Sequence, residues 1–170
     1  LIAVDLESSE AVILDEGRVT EAVRATIALP GLFKPVEREG QLLVDGGLLD
    51  NVPADVVREM GADIVIAVDV VAEGSTFSAM IQRLRQRRYV LDGLASTFEV
   101  MLRSLDVMMQ EINRRRLEEA APEVVIRPEI PPGVSVLVGF SQAGDTIAAG
   151  ERAAVEALPS IQELLKTSQA

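Results

Sequence analysis

The nine residues from Asp63 to Val71, DIVIAVDVV, leave little choice of environment. A half-buried strand alternates apolar and polar residues, and this run does not alternate. Such runs suit a parallel strand covered on both faces. Upstream, Pro53 fits the first turn of a helix that runs to Met60, with Gly61 as its C-terminal cap. Before that helix, QLLVD (Gln41 to Asp45) reads as a short buried strand. Strand, helix and strand within about 30 residues make a βαβ unit, for which a right-handed crossover is expected. The expected class is α/β with a mostly parallel sheet.

The rest of the chain adds helices and one hairpin. LIAVDLESSEAVILDEG reads as two short aliphatic strands around the polar turn Glu7 to Glu10. Thr20 is a candidate N-cap for a helix from Glu21 to Leu29, and Pro30-Gly31 stops it. Leu91, Leu94, Phe98, Met101, Leu102, Leu105, Met108, Met109 and Ile112 keep three- and four-residue spacing, the mark of one amphipathic helix. A shorter helix before it carries RLRQRR, Arg83 to Arg88. EVVIRPEIPPG is a strand followed by a proline-stiffened loop. Gly144-Asp145 opens a final helix, which Pro159 restarts near its end. Residues 1–170 read as part of a single domain, with 75–120 a helical excursion or lid-like segment.

What the chain lacks narrows its chemistry. It has no histidine and no cysteine, which removes Ser-His-Asp and Cys-His hydrolases, thiolate chemistry and disulfide frameworks. Acid-base chemistry must then use carboxylates or groups from elsewhere. A formal net charge of -11 argues against nucleic acid as a partner. No apolar run approaches the roughly 18 residues that a membrane span needs, and no basic leader precedes the first aliphatic segment. A cytoplasmic location, with peripheral contact at a membrane, is the expectation.

Against this background LLVDGGLLDNVP, Leu42 to Pro53, stands out. Asp45 closes an aliphatic strand, and in open parallel sheets such positions face the ligand crevice. Gly46 and Gly47 lack a Cβ, so another backbone can come close. An acid placed this way can take a proton from a neighbouring hydroxyl. The plainer alternative is a tight turn with a solvated aspartate, since Asp-Gly is a common turn pair.

ATIALPGLFKPV (Ala25 to Val36), LLVDGGLLDNVP and MGADIVIAVDV (Met60 to Val70), taken in order, resemble the patatin-like phospholipase family, especially its bacterial and neuropathy-target-esterase-like members. The matching positions are Ala25, Thr26, Ala28, Pro30, Phe33 and Pro35, then Asp45-Gly46-Gly47, then Asn51 and Pro53. Thr26 stands where serine is commoner. The resemblance implies a three-layer α/β/α sandwich and a Ser-Asp dyad that hydrolyses lipid acyl esters without metal or organic cofactor. Asp45 is the implied catalytic acid, with Gly46, Gly47, Asn51 and Pro53 as its supporting motif. A phospholipid or lysophospholipid substrate, and transient contact with a membrane surface, follow from the same resemblance. The family's G-x-S-x-G and glycine-rich oxyanion loop occur nowhere in the 170 residues. The expectation is therefore a C-terminal portion of the domain, whose serine lies before Leu1 and which does not turn over substrate alone. Exposed strand edges would then favour self-association.

Several residues carry competing readings. GFSQAG offers Ser141, but Ala143 replaces the second elbow glycine, so Ser141 reads as a loop or helix-cap residue. Asp5, Asp50 and Asp69, with Asp45, could hold Mg²⁺ in a phosphate-handling site. The Arg83 to Arg88 cluster is either a solvated helix face or a surface for anionic head groups. The Met101 to Met109 stripe is either core or the cap of an acyl-chain pocket. A non-catalytic remnant that binds lipid or a partner is the remaining alternative to an enzyme.

Overall fold

The computed structural model describes residues 1–70, 92–131, 134 and 142–167. Its first half is an antiparallel sheet. Strand β1 (Ile2–Asp5) turns through Leu6 to Ser9 into β2 (Glu10–Ile13), the expected hairpin. Helix α1 (Val19–Thr26) follows, then β3 (Val36–Arg38) and β4 (Gln41–Asp45). The strand order is β2-β1-β4-β3, and every neighbouring pair is antiparallel. A 3-10 turn (Gly46–Leu48) leads to α2 (Ala54–Glu59) and β5 (Ile66–Val68). The long helix α3 (Asp92–Ala120), β6 (Val124–Ile126) and α4 (Ala143–Thr167) complete the described elements.

The α/β class holds, but among the described residues the expected mostly parallel sheet is not found. Among the described residues the parallel pairing is β5 with β6, a two-stranded sheet of its own. β4 and β5 lie in different sheets, so β4-α2-β5 is not a βαβ unit. The cause is local turn chemistry. Glu39 and Gly40 both adopt positive φ, 52° and 82°, the two-residue turn that matches strand twist and closes β3 onto β4. The run 63–71 contributes only three strand residues, and Ile66 and Val68 are exposed, so it is not covered on both faces.

Other boundaries moved less. α1 starts at Val19 with Arg18 in the capping position, so Thr20 lies inside the helix rather than capping it. α2 begins just after Pro53 and ends before Gly61, which takes φ +97, as its flanking residues imply. α4 passes through Pro159 without restarting. In α3 the inward stripe is mixed: Leu102 and Leu117 are buried, but so are Glu99 and Asp106, while Met101 and Met108 are exposed. Core packing is therefore not the role of those two methionines. Leu91 and the Arg83 to Arg88 cluster lie outside the described residues, as do the side chains of Leu94 and Phe98.

Both faces of the antiparallel sheet carry buried residues. On one, Ala3 and Leu43 pack with Leu14 and with Ala22 and Ala25 of α1, flanked by Val12 and Val36. The small alanines let helix and sheet approach closely. On the other, Ile2, Val4 and Val44 are buried as well. A second cluster, Ala54, Val65, Ala67 and Leu117, joins α2, β5 and the end of α3. Beside it the Arg58 guanidinium meets both Glu123 oxygens at 2.9 and 3.0 Å, and Glu123 accepts the Val65 N–H at 2.8 Å.

Leu43 sits at the centre of the first cluster with no exposed surface. Leu43→Ala is expected to cost about 2–5 kcal/mol. Urea unfolding of the two proteins measures it, and a loss well under that range would mean the α1–sheet contact is loosely packed.

Candidate active site

The end of β4 is fixed by the segment around α1. The Asp45 N–H donates to the Ala28 carbonyl at 3.1 Å, and Ala25 and Ala28 are almost fully buried. The Thr26 hydroxyl donates to the Ile2 carbonyl of β1. The Ala-Thr-x-Ala segment thus ties α1 to both central strands. Phe33 from the same stretch stays partly exposed, with the Arg24 guanidinium 5.7 Å from its ring centre.

Gly46 lies against that same Ile2 carbonyl. A Cβ on residue 46 would stand 2.4 Å from the Ile2 oxygen and 2.7 Å from its carbon, well inside contact distance. The close backbone approach expected of the glycine pair is real at Gly46, and its partner here is strand β1. Gly47 has a different duty. Its N–H donates to Asp45 Oδ1 at 2.8 Å, so the carboxylate caps the 3-10 turn that its own strand runs into. Asp45 is half-buried. Burial pushes its carboxyl above the usual aspartate value, and the Gly47 N–H partly opposes this.

The loop beyond is anchored by α3, which the sequence reading did not connect to this site. Asn113 accepts the Asn51 N–H through Oδ1 and donates from Nδ2 to the Gly47 carbonyl at 2.9 Å. One turn later Arg116 reaches Asp55 at 2.6 Å and Asp50 at 3.4 Å. Asp50 is buried, and its carboxyl is raised to about 6 by desolvation, with Asp55 adding and Arg116 opposing. The available signal was the polar inward stripe of α3, where Glu99, Asp106 and Asn113 recur at helical spacing among apolar residues. Pro53, with φ −74, occupies the capping position of α2, so it orients that helix rather than touching Asp45.

The four aspartates do not converge. Asp5 is buried and accepts N–H groups from Leu42 at 2.9 Å and from Glu7 and Ser8 at 3.2 Å, which together hold its carboxyl low. Asp69 pairs with Arg127 at 3.2 Å. Among the described residues no group of three or more acids could hold a metal ion, so the Mg²⁺ reading has no built site there. An open groove of about 700 Å³ lies at the β3–β4 turn, between Glu7 and the stretch Glu37 to Leu42, at the far end of β4 from Asp45. Ser141 lies outside the described residues.

Residues 5–58 match the model of a family described as patatin-like phospholipase. An uncharacterised NTE family protein of Mycobacterium tuberculosis is 33% identical over 175 residues, covering 97% of this chain and 29% of the relative. A second NTE family protein of that organism is 41% identical over 69 residues, 41% of this chain and 19% of its own length. Patatin-like phospholipase domain-containing protein 7 of Rattus norvegicus is 40% identical over 77 residues, 44% of this chain and 6% of that protein. The chain thus spans under a third of the length of the relatives it matches.

Two outcomes follow from the geometry. Gly46→Ala is expected to cost about 1–3 kcal/mol by overpacking against the Ile2 carbonyl, with the amide shifts of Ile2 and Asp45 moving together; unchanged stability would contradict the contact. For Asp50 the sign is set by a carboxyl that binds its proton more tightly in the folded state. Its contribution is present below about pH 4 and is lost as pH rises through about 6. Asp50→Asn should therefore match the parent near pH 4 and become more stable than it as pH rises through about 6, by about 1–3 kcal/mol at pH 8, read from paired urea titrations.

Proposed function

Because the chain belongs to the patatin-like phospholipase family, we propose that it serves the hydrolysis of lipid acyl esters, with Asp45 as the general base of a Ser-Asp dyad. The observation that carries this reading is the state of the Asp45 carboxylate. It stands at the end of β4, is held by the Gly47 N–H, and is made more basic by burial. An unperturbed aspartate, with a pKa of about 3.9, is a weak base. Raising it moves the group toward the range in which it can share a hydroxyl proton near neutral pH.

In the proposed cycle a serine hydroxyl attacks the acyl carbonyl carbon and its proton passes to Asp45. The tetrahedral oxyanion collapses, the alkoxide leaves and takes the proton from Asp45, and the acyl group stays on the serine. Water repeats the sequence: Asp45 accepts its proton, and the released serine recovers one. No G-x-S-x-G occurs in these 170 residues, so the serine and the oxyanion donors would come from a stretch of polypeptide outside them. Such a partner layer would also complete a three-layer α/β/α sandwich over the sheet. The substrate class, a phospholipid or lysophospholipid, would bring the protein to a membrane surface. None of the described helices is long and apolar enough to cross one.

The test uses the full-length protein and a p-nitrophenyl acyl ester, with lysophospholipid as the second substrate. Asp45→Asn should lower kcat about 100-fold or more while circular dichroism stays unchanged. A variant that keeps most of its esterase activity would remove Asp45 from the chemistry.

A further inference from the structure

The geometry points to Asn113 as a positioning residue for Asp45, acting through Gly47. This rests on the general-base reading given above. Residue 113 lies 66 positions from Gly47 in the chain, yet its side chain bridges Gly47 and Asn51 of the loop that follows β4. One Nδ2 hydrogen goes to the Gly47 carbonyl at 2.9 Å, the other to the Met109 carbonyl of its own helix at 2.7 Å, and Oδ1 accepts the Asn51 N–H. Both donors of the amide and its acceptor oxygen are engaged at once. The opposite orientation of the amide would set its NH₂ against the Asn51 N–H and its oxygen against two carbonyls, so the side chain has one satisfied pose.

That pose acts on Asp45 through one residue. Gly47 presents its carbonyl to Asn113 and its N–H to Asp45 Oδ1 at 2.8 Å. A glycine has no side chain to resist rotation about its own dihedrals. Left alone, Gly47 could swing its N–H off the carboxylate at little cost. With its carbonyl held by α3, and Asn51 held by the same amide four residues later, the turn is clamped at both ends. The Met109 bond fixes the clamp to the helix. The Asp45 carboxylate keeps one oxygen engaged by Gly47 and one orientation relative to the sheet. A base that must meet a hydroxyl within hydrogen-bond reach gains from that restriction, because misplacement by about 1 Å can cost on the order of 100-fold in rate.

Asn113→Ala and the near-isosteric Asn113→Leu both remove the clamp without adding charge. Leu keeps the branched shape and raises helix propensity, so it guards against a variant that merely fails to fold. The first readout is the titration of the Asp45 carboxyl carbon by NMR in the full chain. Loss of a firmly held N–H donor should move its midpoint up by about half a unit or more in both variants. The second is kinetic, in the full-length enzyme: kcat should fall about 10-fold or more with KM changed less than about twofold. A folded Asn113→Leu with the parent's Asp45 midpoint and kcat overturns the inference, whatever its melting temperature. An active Asp45→Asn control instead overturns the general-base reading, and the NMR arm still decides whether Asn113 governs the carboxylate.

Discussion

The contact between Gly46 and the Ile2 carbonyl is the constraint from which the site is built. β1 and β4 pair antiparallel, with Ala3 opposite Asp45. The chain leaving β4 must therefore pass directly over the backbone it has just paired with. Only a residue without Cβ can pass at that distance. The Thr26 hydroxyl binds the same carbonyl, and Ala28 binds the Asp45 N–H. One peptide of β1 thus sets the position of α1, the end of β4 and the start of the 3-10 turn together. Thr26 and Gly46, far apart in the chain, are two sides of a single contact.

Around this contact the protein keeps polar groups where apolar ones would pack as well. Asp50, Asn113 and Arg116 lie between the loop and α3, and Asp50 is almost wholly desolvated. Taking a carboxylate out of water is costly unless it is paired or protonated. Asp50 is both partly paired, with Arg116, and raised toward protonation. Leucines at these positions would hold α3 against the loop with less directional control. Hydrogen bonds and ion pairs fix the register of the loop against α3 in a way that apolar contacts do not.

Much of the fold was legible because its signals are local. The β1–β2 hairpin, the helix between Pro53 and Gly61 and the strand ending at Asp45 follow from short apolar runs and their punctuation. Strand direction was not legible from QLLVD, since buried strands of either kind read alike. The deciding residues were Glu39-Gly40, whose positive φ values close a hairpin that an apolar count overlooks. Asp45 could be picked out through the motif, but the residues that hold the loop around it could not. Asn113 and Arg116 sit 66 positions beyond the residues they hold, Gly47 and Asp50, on an amphipathic helix where a polar residue on the inward stripe looks like an interruption.

Asp5 and Asp45 show why position rather than residue type assigns the chemistry. The register puts Ala3 opposite Asp45 and Asp5 opposite Leu43, so both acids lie on the same face of the sheet. Asp5 accepts three backbone N–H groups, and these hold its proton affinity down despite burial. An acid so well solvated by the backbone gains little from taking up a proton, and its oxygens are already committed to closing the β1–β2 turn. Asp45 accepts one N–H, from Gly47, and burial outweighs it. Its remaining oxygen is the one to which a proton can be delivered. Adding donors to Asp45 would stabilise its charge and the fold around it, and would weaken it as a base by the same amount. The sparse hydrogen bonding of Asp45 is thus the feature that suits it to the proposed role of general base, and the clamp from α3 is placed on Gly47, one step removed from the carboxylate.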